Sequence, residues 1–240
     1  MIENGVQISI NAGTLFGELI VPDQASGVVL FAHGSGSGRH SPRNKFVAEI
    51  IRKSGIGTLL FDLLTTDEEA IDAQTRHLRF DINLLSRRLI GATNWLLTNP
   101  ETSNLNIGYF GASTGAGAAL VAAGELGARI GAVVSRGGRP DLAGGALSHV
   151  VSPTLLIVGE YDKQVIELNE QALARLRHTK ELHIVPGASH LFGEPGTLEK
   201  AAQLAADWFE RFLSQRSGQR PLSNTKIKNS SSLRHLSDLF

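Results

Sequence analysis

Residues 105–120, LNIGYFGASTGAGAAL, decide how this chain is read. Ile107, Tyr109 and Phe110 form a short apolar run that stops at Gly111, and a helical pattern of small residues begins just after Ser113. Between them stands Gly111-Ala112-Ser113-Thr114-Gly115, a G-x-S-x-G at a strand-to-helix junction. A tight turn there lifts the serine hydroxyl clear of the main chain, and the flanking glycines leave room for the bend. The helix that follows points unpaired N–H groups at negative charge forming beside the serine. Ser113 is therefore a candidate nucleophile. The competing reading is a Gly/Ser turn that only starts a helix, and the serine's partners decide between the two.

Working outward, short unbroken apolar runs recur at residues 28–32, 57–61, 107–110, 131–134, 154–158 and 182–185. Such runs suit strands buried on both faces of a parallel sheet. Helical patterns fall between them at residues 41–53, 75–97, 114–126, 163–176 and 197–214. Alternating residues at 5–10 and 15–21, joined by Asn11-Ala12-Gly13, predict an antiparallel hairpin. The fold class is α/β: a mainly parallel central sheet with an N-terminal antiparallel hairpin and helices on both faces. Residues 1–214 read as one catalytic domain. Residues 215–240 read as a polar tail, flexible or with a short docking helix around Leu233, Leu236, Leu239 and Phe240.

Composition narrows the chemistry. A chain of 240 residues, 42% hydrophobic, buries one large core. Its 23 basic and 23 acidic residues cancel, which argues against a nucleic-acid partner. With no cysteine, disulfides, thiolate metal sites and a cysteine nucleophile are excluded. The N-terminus lacks the pattern of a signal peptide and no apolar run is long enough to cross a bilayer, so the expected location is the cytoplasm, away from membranes. No H-E-x-x-H or carboxylate cluster suggests a metal, and no cofactor is expected.

A serine hydroxyl needs a base, and the base needs a group to orient it. Asp162 follows the run at 154–158 and His190 follows the run at 182–185, so both stand where catalytic groups collect in open α/β sheets. The order serine, aspartate, histidine assigns Ser113 as nucleophile, His190 as general base and Asp162 as its orienting acid, with Glu160 as a rival acid. The loop Phe31-Ala32-His33-Gly34-Ser35-Gly36-Ser37-Gly38 follows another strand. Acyl transfer needs two N–H donors for the oxyanion, which assigns the amides of Ser35 and Thr114. A phosphate cradle is the rival, but the loop lacks the Gly-Lys-Ser/Thr ending, and Arg39 stands where a G-x-G-x-x-G would need glycine.

The segments FAHGSGSGRHSPRN, LLFDLLT, GYFGASTGAG, SRGGRPDLAG, LIVGEYD and VPGASHLFGEPG together resemble the dienelactone-hydrolase-like branch of the α/β-hydrolases. They are most similar to compact hydrolase domains that also occur fused to phosphoribosyltransferase domains. The resemblance covers residues 6–214 and implies the α/β-hydrolase fold. Dienelactone hydrolases proper carry a cysteine nucleophile, whereas this chain has Ser113, which makes simple ester hydrolysis the expectation.

Three arginines invite a substrate role. Arg136 and Arg139 follow the run at 131–134, and Arg39 lies beside the oxyanion loop. A cation there could hold a substrate carboxylate or phosphate. The alternative is that Arg136 or Arg139 pairs with Asp141 or Asp62 and braces loops. Only about twenty residues separate the runs at 131–134 and 154–158, too few for a large lid. The expected activity is cleavage of small soluble carboxylic esters, with lactones and thioesters as variants, by a monomer or homodimer. Acyl transfer or perhydrolysis on the same residues, and a non-catalytic binding module, are the alternatives.

Overall fold

The computed structural model describes residues 1–11 and 13–214 of the chain. The expected tail, 215–240, lies outside the described residues. Eight strands form one sheet in the order β1-β2-β4-β3-β5-β6-β7-β8. β1 (Ile2–Ile10) and β2 (Gly13–Val21) make the antiparallel hairpin, with Ile10 opposite Gly13. β2 also runs antiparallel to β4 (Gly57–Phe61). β3 (Gly27–Ala32), β5 (Asn106–Ala112), β6 (Ile130–Arg136), β7 (Thr154–Gly159) and β8 (Lys180–Val185) complete the sheet, and every pairing beyond β4 is parallel.

Burial explains the continuous apolar runs. β3, β4 and β7 are buried at every position, because both faces of the sheet are covered. On one face Val28, Leu30 and Ala32 of β3 join a core with α3 (Ile82–Thr98) and α4 (Thr114–Leu126). On the other, Val29 and Phe31 join α1 (Pro42–Lys53) and α6 (Thr197–Leu213). The alternation along one strand thus feeds two separate cores. β3 has β4 on one side and β5 on the other, so the winding of the chain reverses there. The loops leaving β3 and β5 open the crevice where open α/β sheets bind their ligands.

One region differs from its sequence pattern. In place of a single helix over 75–97 the chain forms α2 (Thr66–Thr75), a 3-10 turn at Leu78–Phe80, and α3. The Thr65 hydroxyl accepts from the Glu68 amide at 3.3 Å and the Glu68 carboxylate accepts from the Thr65 amide at 2.9 Å, a reciprocal cap that starts α2 early. Arg76, at φ +57°, ends it. Asp72 then accepts from Arg79 Nε at 2.6 Å and from the Arg79 amide at 3.1 Å, folding the turn back, and Asp81 caps α3 by accepting from the Leu84 amide at 2.9 Å. α2 buries only Asp72, so no apolar stripe announces it. The remaining helix, α5 (Lys163–Arg175), packs Ala172 into the α3/α4 core.

Removing the α2 cap by Thr65→Ala is expected to cost about 1 kcal/mol in urea unfolding without loss of the fold. An unchanged midpoint would show that the cap contributes nothing to stability.

Candidate active site

The turn at Ser113 is built from close backbone packing. Ser113 sits at φ 50°, ψ −122°, a conformation that non-glycine residues rarely adopt. Its amide donates to the Arg136 carbonyl at 3.2 Å, and its own carbonyl accepts from the amides of Ala116 at 3.0 Å and Arg139 at 3.1 Å. Gly115 lets α4 start hard against the end of β3, since a Cβ there would stand 2.1 Å from the Ala32 carbonyl oxygen. The Ser113 side chain makes no cap hydrogen bond to α4, so the hydroxyl is not consumed by the helix it precedes.

The histidine and aspartate meet. His190 Nδ1 lies 2.5 Å from Asp162 Oδ2. A carboxylate can only accept, so the proton is on Nδ1 and the Nε2 lone pair is free to act as a base. Asp162 precedes α5 but makes no cap bond with its side chain, which leaves the carboxylate for the imidazole. Glu160, the rival acid, accepts instead from the Gly187 amide at 2.8 Å and ties the β7 loop to the β8 loop. Glu194 accepts from the Ser189 amide at 2.9 Å, and that hydrogen bond is the main reason its carboxyl stays below the usual range. Neither glutamate's bracing role was evident from sequence. Their nearness to Asp162 and His190 along the chain was the one available signal.

The Ser113 side chain makes no hydrogen bond to this pair. The hydroxyl has no hydrogen-bond partner among the described residues. Gly137 separates the two halves. Its neighbour Arg136 holds the Ser113 amide, while its own Cβ position lies 3.1 Å from the His190 carbonyl and 3.6 Å from His190 Nδ1. Hydroxyl–imidazole bonds in free enzymes are commonly long and close when substrate binds.

The loop after β3 faces the serine. The Cβ position of Gly34 lies 3.3 Å from Ser113 Cβ. Among the described residues the amides of Ser35 and Thr114 have no protein acceptor. His33 shapes the loop. Its Nε2 accepts from the Leu63 amide at 3.1 Å, so Nδ1 must carry the proton that reaches the Gly34 carbonyl at 3.0 Å. Desolvation lowers the pKa of this ring below 6.5, and the Gly34 carbonyl and Asp62 oppose the shift without reversing it. Behind the loop is a cavity of about 240 Å³, bordered by Ser35, Ser37, Leu63, Leu64, Leu85 and Glu69.

The three arginines part company. Arg39 is ion-paired with Asp62, which also accepts from the Arg39 amide at 2.8 Å. Arg139 is ion-paired with Asp141 at 2.7 Å. Among the described residues Arg136 meets no carboxylate, and its guanidinium carbon lies over two aromatic rings, Phe110 and Phe192. Among the described residues no group of three or more histidine, aspartate or glutamate side chains could hold a metal ion, and no helix is long and apolar enough to cross a membrane.

A parallel sheet entered by a hairpin, with a strained serine after β5, an acid after β7 and a histidine after β8, defines the α/β-hydrolase class. The profile of the dienelactone hydrolase family matches residues 18–216, and the chain belongs to that family of hydrolases. A dienelactone hydrolase from Anabaena variabilis is 60% identical and superposes with a TM-score of 0.87, covering 88% of this chain and 98% of that one. Est1E from Butyrivibrio proteoclasticus, 14% identical, shares the fold with a TM-score of 0.73 over 88% of this chain and 99% of its own. Two proteins of Mycobacterium tuberculosis named as candidate phosphoribosyl transferases are 57% identical over 204 residues, 85% of this chain. The chain spans 45% of the length of those relatives.

The state of His33 makes stability depend on pH. The ring is neutral in both folded and unfolded chains above 6.5, and its contribution is then fully present. Below 6.5 the unfolded chain takes up the proton more readily, so stability falls until the lower folded pKa is passed. Between pH 7.5 and 5.5 the wild type is expected to lose up to about 1.4 kcal/mol per pH unit more than His33→Gln, in urea titrations. Parallel pH slopes would contradict the assignment.

Proposed function

We propose that the chain is a serine hydrolase of small soluble carboxylic esters. In this reading Ser113 attacks the ester carbonyl and His190 Nε2 takes the hydroxyl proton. The alkoxide leaves with that proton and an acyl group remains on Ser113. Water, deprotonated by the same imidazole, then attacks the acyl-enzyme, releasing the acid and returning the proton to the serine. Asp162 keeps His190 in the working tautomer and stabilises the imidazolium. The amides of Ser35 and Thr114 receive the oxyanion at both tetrahedral stages.

The observation that carries this reading is the 2.5 Å contact between His190 and Asp162, with His190 against Gly137, the neighbour of the Arg136 whose carbonyl accepts from the amide of Ser113 in its strained turn. A half-buried carboxylate–imidazole pair of this kind orients a base, and a strained serine turn of this kind is the sort of cost that clusters at functional sites.

Substrate size follows from what covers the site. The segment between β6 and β7 forms a 3-10 stretch, Pro140–His149, that packs down on α4. Gly117 admits it, for a Cβ there would come within 2.9 Å of Leu142 Cβ. Packed this way the segment forms no extended lid, and we read the cavity of about 240 Å³ behind the Ser35 loop, which Ser113 does not line, as room for a short acyl or alcohol group. The reading implies a cytoplasmic monomer or homodimer acting without cofactor, nucleic acid or membrane. We attribute the phosphoribosyl transferase name of the mycobacterial relatives to the part of their length outside the match.

A fluorophosphonate probe should label the wild type and fail to label Ser113→Ala. With p-nitrophenyl esters, acetyl to butyryl chains should be cleaved fastest, and Asp162→Asn should lower kcat by about 10³–10⁴. Unlabelled, folded wild-type protein would refute the hydrolase, and a maximum at long acyl chains would refute the small, uncovered site.

A further inference from the structure

Arg136 is the last residue of β6 and only 7% exposed. Among the described residues no carboxylate pairs with it, and its Nε and Nη1 are buried without a hydrogen-bond partner. Burial pushes its pKa down to about 10, and the like charge of Arg43 acts in the same direction. What holds the guanidinium is aromatic. Its Cζ lies 5.9 Å from the centroid of the Phe110 ring and 5.6 Å from that of Phe192.

Each ring leads to a different catalytic segment. Phe110 lies on β5 three residues before Ser113, and its ring rests on Phe31 of β3 with centroids 4.8 Å apart. Phe192 lies two residues after His190, is 2% exposed and adopts φ +55°. The main chain of the same strand end repeats the link. The Arg136 carbonyl accepts from the Ser113 amide, and Gly137 abuts His190.

Stability alone does not account for this arrangement. A guanidinium taken from water without a counter-ion loses more than two ring faces return, and methionine would fill the space at lower cost. A local rule broken in this way, next to a functional site, is the expected mark of a group kept for geometry. The guanidinium carbon lies over both rings, and so reaches both the strand that carries the serine turn and the left-handed residue just after His190.

We propose that Arg136 is a positioning residue, its guanidinium joining Phe110 to Phe192 so that the histidine loop is held in register with the serine turn. The proposal rests on the hydrolase reading above, and it differs from a substrate clamp because the arginine acts on His190 and not on the ester.

The test compares wild type, Arg136→Met, Arg136→Lys, Phe192→Leu and the Arg136→Met/Phe192→Leu double variant. Rates of fluorophosphonate labelling and of p-nitrophenyl acetate hydrolysis are measured, with an ester bearing a free carboxylate alongside. Arg136→Met should lower kcat and the labelling rate by about tenfold or more, with KM within about twofold for neutral and anionic esters alike. Its melting temperature should be equal to or above that of the wild type. Arg136→Lys should recover part of the rate, and the double variant should lose no more than the worse single variant. Wild-type kcat in Arg136→Met overturns the proposal. So does a loss confined to the KM of the anionic ester, which would make Arg136 a clamp, and so do losses that multiply in the double variant. Should Arg136→Met not fold, Phe192→Leu and Arg136→Lys decide: full activity in Phe192→Leu sinks the idea. A wild type that neither labels nor turns over refutes the hydrolase reading and this proposal together, whereas an active wild type beside an unaffected Arg136→Met refutes this proposal alone.

Discussion

The backbone of Ser113 is held at φ 50°, ψ −122° by three main-chain hydrogen bonds, to Arg136, Ala116 and Arg139. A conformation of this kind costs of order 1–3 kcal/mol and survives only where its surroundings leave no alternative. Here they come from three strands. β5 delivers the serine, the end of β6 and Arg139 just beyond it hold the two sides of its peptide, and the end of β3 presses against the first turn of α4. Any substitution that swells Gly115 would push against the Ala32 carbonyl and relax the turn. The strain is thus maintained by the parallel register of the sheet itself, and the presentation of the Ser113 side chain is its consequence.

The second half of the site depends on loops, and loops need bracing that strands do not. Two glutamates accept main-chain N–H groups, Glu160 across to Gly187 and Glu194 back to Ser189. These bonds set the path of the loop that brings His190 to Asp162. His33 does similar service for the loop after β3, with both ring nitrogens bonded to backbone groups of Gly34 and Leu63. Arg136 then joins the two halves through aromatic faces. Chemistry at the rim of this sheet is a matter of holding a few flexible turns still, which fits the general dependence of catalysis on preorganised groups.

Much of this was readable from the chain because periodicity reports burial. β3, β4 and β7 are buried on both faces and read as unbroken apolar runs, and the residues just past such runs are where the site collects. That logic located Ser113, Asp162 and His190 as candidates without any contact being known. It failed at α2, which buries a single aspartate and so has no apolar period; the Thr65-to-Glu68 cap was the signal to look for. Pairing among charged side chains was harder still. Arg139 and Asp141 are near in sequence and could be weighed, but the choice of Arg39 by Asp62 and the stacking of Arg136 depend on how loops turn in space. Sequence periodicity carries no information on that.

The most direct test is to catch the acyl group. Wild-type protein mixed with p-nitrophenyl acetate should release a burst of nitrophenol near one equivalent, and acid quenching within the burst followed by peptide mass mapping should find the acetyl group on Ser113. Turnover with the acetyl group on another residue, or with no covalent intermediate and no burst under conditions where deacylation is slow, would contradict the account.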